Sequence, residues 1–252
     1  MKKFAKIFAI LMVAILALTV FCGCGKEEEK AEKKTLVMGS SCSFPPYEYV
    51  GDDGKYIGID IEIAQGFCDK FGYELEVQDM DFKSIITAVN SGAVNFGMSG
   101  FTITDARKLS VNFSDPYEET VQAIMVKEGS PIKSKDDLKG KRIGVQSGTT
   151  GDDFATKDFG QDAVNQYDKY SMAVQALLNE QVDCVVLDDI SADAFIKSNE
   201  GLAKLDTAYG VEQYAAAFNF EDTELLEQFN QYLAEIKADG GLDGIMAKYK
   251  NQ

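Results

Sequence analysis

Beyond the N-terminal segment, short apolar runs alternate with segments in which apolar residues recur every three or four positions. The run LVMG at 36–39 predicts a buried strand, and residues 59–72 predict an amphipathic helix that ends at a glycine. Residues 73–80 predict a second strand, and residues 82–90 a second helix. A strand, a helix and another strand in succession favour a parallel sheet that is covered by helices.

The same pattern begins again near Gly140. The stretch KRIGVQSGTT at 141–150 predicts a strand followed by a glycine-rich turn. A helix is predicted at about 172–179, and DCVVLD at 183–188 predicts the next strand. Two such patterns in one chain predict two similar α/β lobes.

Polar residues stand at the ends of strands in both predicted lobes. Ser99 and Gly100 end a strand of the first lobe, and Asp188 ends the matching strand of the second. Open α/β sheets bind ligands at the carboxyl ends of their strands, so we expect these positions to face one cleft. The last stretch, 223–249, has helical spacing and no strand of its own, so we expect it to pack on one of the lobes.

The N-terminus has the pattern of an export signal. Three lysines precede an apolar run at 7–21, which is short for a membrane span and normal for a secretory signal peptide. Cys24 follows a glycine and precedes a charged stretch, as the lipidated cysteine does in bacterial lipoproteins; a plain signal peptide is the alternative. We expect a lipoprotein signal peptide at 1–23, lipidation of Cys24, and a charged tether at 24–34. The protein would then be anchored at the outer face of the cytoplasmic membrane, in contact with the membrane through the lipid only.

Composition excludes several functional classes. The 252 residues carry a formal net charge of −16, which disfavours nucleic acid as a partner because phosphate contacts supply that affinity. The chain has no histidine, which excludes Ser-His-Asp and Cys-His nucleophiles and every metal site with histidine ligands. For Cys42, Cys68 and Cys184 we expect buried thiols, with a single disulfide as the alternative.

Several segments at strand ends carry groups suited to a zwitterion. Phe44 lies in SFPPYEY, a loop that two prolines stiffen, and Arg107 in SGFTITDARK can bind a carboxylate through two hydrogen bonds. The turn SGTTG at 147–151 offers backbone amides to an anion, and Asp188 can pair with an ammonium group. Each also has an ordinary explanation: a core aromatic, an exposed arginine, a turn and a helix cap.

The order and spacing of these and other segments resemble the solute-binding proteins of polar amino-acid ABC importers, extracellular solute-binding protein family 3. The resemblance covers about residues 35–250. The segments that carry it are SFPPYEY, GDDGKYIGIDIEIA, MDF, SGFTITDARK, NFSDPY, SPIKSKDDLKGKRIGVQSGTTG, DCVVLD and LAEIKADG. It implies an α/β, two-lobe periplasmic-binding-protein-like fold of type II, with a cleft between two lobes that are joined by two hinge strands.

The resemblance also implies a role for each matching residue. Phe44 and Phe82 would enclose the ligand side chain, Arg107 would bind the α-carboxylate and Asp188 the α-ammonium. The implied ligand-binding residues are Ser41, Phe44, Phe82, Ser99, Gly100, Thr102, Arg107, Gln146, Thr149, Thr150 and Asp188. The implied boundaries are 35–124 and 215–252 for lobe 1, 129–209 for lobe 2, and hinges near 125–128 and 210–214.

Departures from the family pattern bear on the ligand. Ser41 stands where members that bind basic amino acids, and also a glutamine binder, carry aspartate. Gln146 and Leu187 stand where that glutamine binder carries lysine and histidine. The side-chain subsite would be near neutral unless Glu48 or Asp189 reaches it. We therefore expect a free polar amino acid as the ligand, with a neutral polar one favoured and a basic amino acid or cystine left open.

The function that the resemblance implies is capture of this amino acid outside the cell and delivery to the permease subunits of an ABC importer. We expect a monomer with no enzyme activity, no cofactor and no metal. Two alternatives remain. The first is an extracytoplasmic dehydratase on the same fold, with Glu48 or Glu118 as general acid. The second is a sensory amino-acid-binding lipoprotein that presents its closed form to a signalling partner.

Overall fold

The computed structural model describes residues 33–205 and 210–250. The predicted signal peptide, the predicted lipidation site Cys24 and most of the predicted tether lie outside the described residues. The strands are β1 Thr35–Ser40, β2 Tyr49–Val50, β3 Tyr56–Ile57, β4 Glu74–Asp79, β5 Phe96–Gly97, β6 Asn112–Phe113, β7 Glu118–Lys127, β8 Ile143–Gln146, β9 Val164–Tyr167, β10 Cys184–Asp188, β11 Leu202–Lys204, β12 Val211–Tyr214 and β13 Ala217–Phe218. The α-helices are α1 Ile59–Phe71, α2 Phe82–Asn90, α3 Asp105–Lys108, α4 Thr150–Phe159, α5 Tyr170–Leu178, α6 Asp189–Ser198, α7 Thr223–Ala238 and α8 Gly241–Lys250.

Two mixed sheets form the cores of two lobes. The first has the strand order β4-β1-β5-β13-β6, in which β1 is parallel to β4 and β5, and β13 is antiparallel to both of its neighbours. The second has the order β11-β7-β10-β8-β9, in which β8, β9 and β10 are parallel and β7 is antiparallel to β10 and β11. The two-lobe α/β architecture expected from the sequence is therefore confirmed.

Helix α1 shows how local sequence sets an element of the first lobe. Ile59, Ile63 and Phe67 are buried along one face, as the apolar spacing predicts. The helix ends at Gly72, which has φ 76° and whose backbone N–H donates to carbonyl oxygens of the last turn. It starts after Gly58, where φ is 134° and where a Cβ atom would lie 2.1 Å from the carbonyl oxygen of Tyr47. Only glycine fits this entry into the helix.

The C-terminal helices complete the first lobe. Phe229 of α7 lies 5.1 Å from Phe67 of α1 and 5.4 Å from Phe218 of β13, measured between ring centroids. This packing agrees with the expectation that the last stretch covers an existing lobe. Among the described residues, no helix is both long and apolar enough to cross a membrane. The thiols of Cys42, Cys68 and Cys184 are buried and unpaired, as expected.

Strand β7 carries the chain from the first lobe into the second. Its first residues, 118–121, pair with β12, whereas its later residues pair with β10 and β11 of the second sheet. The first crossing between the lobes therefore lies at 118–121, upstream of the predicted 125–128, because the chain has already joined the second sheet at Gln122. The second crossing is β12, Val211–Tyr214.

Helix α4 was not predicted from the apolar pattern. Its buried positions include Thr150, Gly151 and Ala155, so it has no stripe of large apolar side chains. The helix lies close to the strands of its lobe, since a Cβ at Gly151 would be 2.9 Å from the Gln122 side-chain oxygen. The hydroxyl of Thr149 caps its first turn by accepting from the backbone N–H of Asp152.

Candidate functional site

A small pocket lies where strand ends of the two lobes meet, and its cavity volume is only about 10 Å³. The residues that line it are Phe44, Phe82, Ser99, Gly100, Thr102, Arg107, Gln146, Thr149, Thr150, Tyr170 and Asp188. The structure thus brings together every predicted ligand-binding residue except Ser41, and it adds Tyr170. Ser41 lies next to the pocket, where its hydroxyl accepts a hydrogen bond of 3.0 Å from the side-chain amide of Gln146.

Aromatic rings form two parts of the pocket wall. The ring of Phe44 stacks on that of Tyr170, with centroids 5.2 Å apart and an interplanar angle of 24°. Phe82, the first residue of α2, stacks on Phe101 at 4.5 Å and 27°. Phe44 and Phe82 therefore line the same pocket, but the closest partner of Phe44 across the cleft is an aromatic side chain of the second lobe. Their predicted role of enclosing a ligand side chain remains a prediction.

Arg107 enters the pocket from α3, whose first turn is capped by the hydroxyl of Thr104. Its guanidinium donates to the carbonyl oxygen of Thr102 at 2.8 Å and to that of Gly148, in the other lobe, at 3.0 Å. The guanidinium carbon also lies 5.3 Å from the centroid of the Phe82 ring. These contacts hold the planar group in one orientation, with its remaining N–H groups available.

The charge of Arg107 has no counter-ion in the part of the chain that the structure describes, where no carboxylate oxygen lies within ion-pair distance of it. Removal from water lowers the pKa of the guanidinium, and the acidic side chains of Asp153 and Glu212 oppose this change. The group stays charged at physiological pH, since a guanidinium is not deprotonated in proteins. The N-terminus of α4, at Thr149 and Thr150, lines the same pocket and adds a positive backbone potential. This side of the pocket is suited to an anion.

Asp188 lies on the opposite lobe at the end of β10 and is 4% exposed. Its Oδ1 atom has no hydrogen-bond partner among the described residues. Burial raises the pKa of this carboxyl to about 8, and the charge of Glu212 adds to the effect. Asp188 precedes α6, but its side chain makes no capping hydrogen bond, so the ordinary explanation as a helix cap fails. The carboxyl is available to a cation.

Glu212 is a pocket neighbour that the sequence analysis missed. It lies on β12 and is buried, and its Oε2 atom accepts from the Thr102 hydroxyl at 2.9 Å and from the Gln122 amide at 3.2 Å. Its Oε1 atom has no partner within the described ranges. On β12 residues 212 and 214 share the buried face while Val211 and Gln213 are exposed. Side chains alternate along a strand, so Glu212 shares a face with Tyr214, and the aromatic Tyr214 favoured burial of that face. The apolar Val211 lies on the other face and favoured the opposite assignment.

Two further buried carboxyls support the strand end at Ser99 and Gly100. Glu48 accepts from the Ser99 hydroxyl at 2.5 Å, and Asp60 accepts from the backbone N–H of Gly100 at 2.9 Å. Burial, with the charge of Asp60, raises the pKa of Glu48 well above its usual range, and burial raises that of Asp60 to about 7. Glu48 thus lies behind the pocket wall. Asp189 accepts from the Thr120 hydroxyl at 3.2 Å and does not line the pocket either.

Comparison with known proteins gives the family. A model of the bacterial extracellular solute-binding proteins, family 3, matches residues 36–252. The chain is 35% identical over 260 residues to the arginine-binding extracellular protein ArtP of Bacillus subtilis (strain 168), covering 99% of this chain and 98% of that protein. It is 29% identical over 246 residues to the L-cystine-binding protein TcyJ of Escherichia coli (strain K12), covering 96% and 92%.

Solved structures agree with the fold. An ancestral arginine-binding protein bound to glutamine has a TM-score of 0.82 and 41% identity, covering 86% of this chain and 98% of that one. The arginine-, lysine-, histidine-binding protein ArtJ from Geobacillus stearothermophilus has a TM-score of 0.82 and 34% identity, covering 87% and 96%. The family match and these likenesses extend over both lobes and the pocket. The chain belongs to the bacterial extracellular solute-binding proteins of family 3.

Proposed function

We propose that the pocket binds one free polar amino acid as a zwitterion, with a neutral polar side chain favoured, and that Arg107 and Asp188 bind its α-carboxylate and α-ammonium groups. The protein captures an amino acid outside the cell and delivers it to an ABC importer. In this proposal the two lobes close over the ligand, which excludes water and strengthens both ion pairs. The other pocket residues shape the site and orient these two groups.

The observation that carries the proposal is that one pocket holds a guanidinium without a counter-ion and, on the other lobe, a buried carboxyl that can ionise next to a bound cation. Arg107 presents a guanidinium without a carboxylate partner, and Asp188 presents a buried carboxyl oxygen without a donor, both within the described residues. Charges removed from water are costly unless they are paired. A zwitterion satisfies both at once, because its two α groups have opposite charge and a fixed separation.

The favoured ligand class rests on the groups near the predicted side-chain subsite. Ser41 and Gln146 hydrogen-bond to each other there, and both are neutral. The nearby carboxylate of Asp79 already pairs with Lys169 at 2.6 Å, so it is compensated. One similar solved structure is an ancestral arginine-binding protein bound to glutamine, which supports a neutral polar ligand. Other relatives are named for arginine, cystine and histidine, so basic amino acids and cystine are the alternative ligands.

The proposal also includes a monomer that is anchored through a lipid on Cys24. Its support is the sequence pattern around that cysteine.

The proposal excludes enzyme activity. The relatives are named as binding proteins, and the two acids that a dehydratase would use have other partners. Glu48 is buried against Ser99, and Glu118 pairs with Lys250. Neither lines the pocket.

The test is thermal unfolding of the mature protein, freed of carried-over ligand by unfolding and refolding, with the twenty amino acids, cystine and ornithine. A ligand at about 100 times its dissociation constant adds about 2.7 kcal/mol of stability, which gives a clear rise in the melting temperature. We expect one or a few polar amino acids to give this rise, and Arg107→Ala to reduce it strongly. No stabilisation by any of these compounds would refute the proposal.

Two further measurements separate the alternatives. A dehydratase converts its ligand, so recovery of the unchanged amino acid after long incubation excludes that activity. A receptor for an importer stimulates the permease ATPase when it is loaded and closed. A loaded protein that leaves the ATPase rate unchanged would favour the sensory alternative.

A further inference from the structure

Tyr170 occupies a position in the pocket that the sequence analysis did not assign. It is the first residue of α5, is 2% exposed, and lies in the second lobe, whereas its stacking partner Phe44 lies in the first. Its hydroxyl is 3.4 Å from the hydroxyl of Thr149. The aromatic end of the pocket is therefore assembled from both lobes.

The spacing of the two rings decides what fits between them. A side chain held between two rings needs a van der Waals contact on each of its faces, which requires a ring separation of about 7–8 Å. The centroids of Phe44 and Tyr170 are 5.2 Å apart, so the rings touch each other. A ligand side chain has to end before this contact or displace Tyr170.

Two ion pairs across the cleft hold Tyr170 in place. The residues that precede it are Asp168, which pairs with Lys83 at 3.0 Å, and Lys169, which pairs with Asp79 at 2.6 Å. Lys83 and Asp79 belong to the first lobe. The first lobe therefore contributes the lysine to one pair and the aspartate to the other. The side chains of Lys169 and Asp79 are only 28% and 30% exposed. Displacing Tyr170 would disturb both pairs, so its ring acts as a wall of the closed pocket.

We infer that Tyr170 is a specificity-determining residue, whose ring closes the side-chain end of the pocket against Phe44 and limits the length of the amino-acid side chain that the protein accepts. This inference rests on the proposed function. It predicts a preference for short and medium polar side chains, since each added methylene group has to be placed against an aromatic wall.

The experiment compares homologous ligands on wild type, Tyr170→Ala and Tyr170→Phe, using calorimetry on the mature protein. The ligand pairs are asparagine with glutamine, and ornithine with lysine, because the members of each pair differ by one methylene group. One methylene in an apolar pocket changes binding by roughly 10- to 200-fold. We expect Tyr170→Ala to shift the ratio of the two dissociation constants at least about tenfold towards the longer member of whichever pair binds. Tyr170→Phe keeps the ring and should leave the ratio unchanged.

The ratio separates selectivity from a general loss of structure, because a uniform loss of affinity cancels in it. Tyr167→Ala is the matched control, since Tyr167 is a half-buried tyrosine of the same lobe that does not line the pocket. If Tyr170→Ala does not fold, Tyr170→Leu shortens the side chain and keeps an apolar contact with Phe44. An unchanged ratio in the folded variant overturns the inference. Failure of the wild-type protein to bind any amino acid refutes the proposed function instead.

Discussion

The guanidinium of Arg107 in the first lobe donates a hydrogen bond of 3.0 Å to the carbonyl oxygen of Gly148 in the second. A second hydrogen bond, of 2.8 Å, goes to the carbonyl oxygen of Thr102 in its own lobe. Both acceptors are neutral, so they orient the guanidinium without compensating its charge. The same side chain can therefore connect the lobes and pair with an anionic ligand group, which links binding to closure.

Replacement of Arg107 by alanine should weaken amino-acid binding strongly. The variant leaves the ligand carboxylate unpaired in the closed pocket, which costs about 2–5 kcal/mol, a loss of at least about 30-fold in affinity. Arg107→Lys should recover little, because an ammonium group lacks the planar pair of donors that a carboxylate matches. Titration calorimetry measures both variants.

The control for this prediction is Arg142→Ala. Arg142 pairs with Asp183 on the surface of the second lobe, and its side chain is 52% exposed. We expect wild-type affinity in this variant. Retained affinity in Arg107→Ala would show that the carboxylate binds elsewhere.

The ligand-free protein should be most stable at mildly acidic pH. Asp188 and Asp60 have pKa values of about 8 and about 7, both raised mainly by burial, and burial also raises the pKa of Glu48. The folded state then holds more protons than the unfolded chain between about pH 4 and pH 8, so the free energy of unfolding falls as pH rises through this range. We expect a loss of roughly 2 kcal/mol or more, measured by urea unfolding at pH 5 and pH 8.

Asp188→Asn should flatten this pH dependence, because it removes one of the buried carboxyls that must ionise. Asp193→Asn is the control, since Asp193 is exposed in α6 and pairs with Lys204. Its variant should keep the wild-type slope. Stability that increases steadily from pH 5 to pH 8 in the ligand-free protein would contradict the predicted ionisation of the buried carboxyls.

Ligand binding should release protons below pH 8. An ammonium group next to Asp188 favours the charged carboxylate, so it lowers a pKa that is about 8 in the free protein. At pH 6–7 the carboxyl is protonated before binding and ionised afterwards, and the affinity should rise with pH up to about 8. Calorimetry in buffers of different ionisation enthalpy counts the protons. Uptake of protons, or none exchanged, would mean that Asp188 does not meet the ammonium group.

The ion pair between Lys169 and Asp79 should contribute to closure and hence to affinity. Its atoms are 2.6 Å apart, and the two residues lie on different lobes. We expect Lys169→Met to weaken binding by roughly 0.5–1 kcal/mol, and less at high salt. A double-mutant cycle with Asp79→Asn measures how strongly the two substitutions are coupled in their effect on ligand affinity. The control is the exposed pair Lys55 and Asp53, which does not cross the cleft and should show no coupling in affinity. Equal coupling in both pairs would remove Lys169 from the closure mechanism.

Much of the fold could be predicted from apolar spacing, because long amphipathic helices carry a strong signal. Helices α1 and α2 lie at 59–71 and 82–90, close to the predicted 59–72 and 82–90. Helix α4 escaped detection because small or polar residues occupy its buried face. The two-residue strands β6 and β13 are too short to leave a periodic pattern. Strand β5, by contrast, lies within the strand predicted to end at Ser99 and Gly100.

The candidate site was reached through a different kind of information. Phe44, Arg107 and Asp188 lie far apart in the sequence. Their places near strand ends indicated one cleft, and the resemblance to a family assigned each of them a role in it. Tyr170 and Glu212 carry no such segment-level signal. Their places depend on the docking of one lobe on the other and on the pairing of β12 with β7, which are long-range contacts.

The pairing of β7 with β12 where the chain crosses between the lobes has a mechanical consequence. Strands β7 and β12 pair side by side at the crossing and form a two-stranded antiparallel ribbon. Such a ribbon bends out of its plane more easily than within it, since bending in the plane would stretch the hydrogen bonds between its strands. In the proposed closure, this ribbon would guide the lobes along a single path, so that Arg107 and Gly148 return to the same alignment.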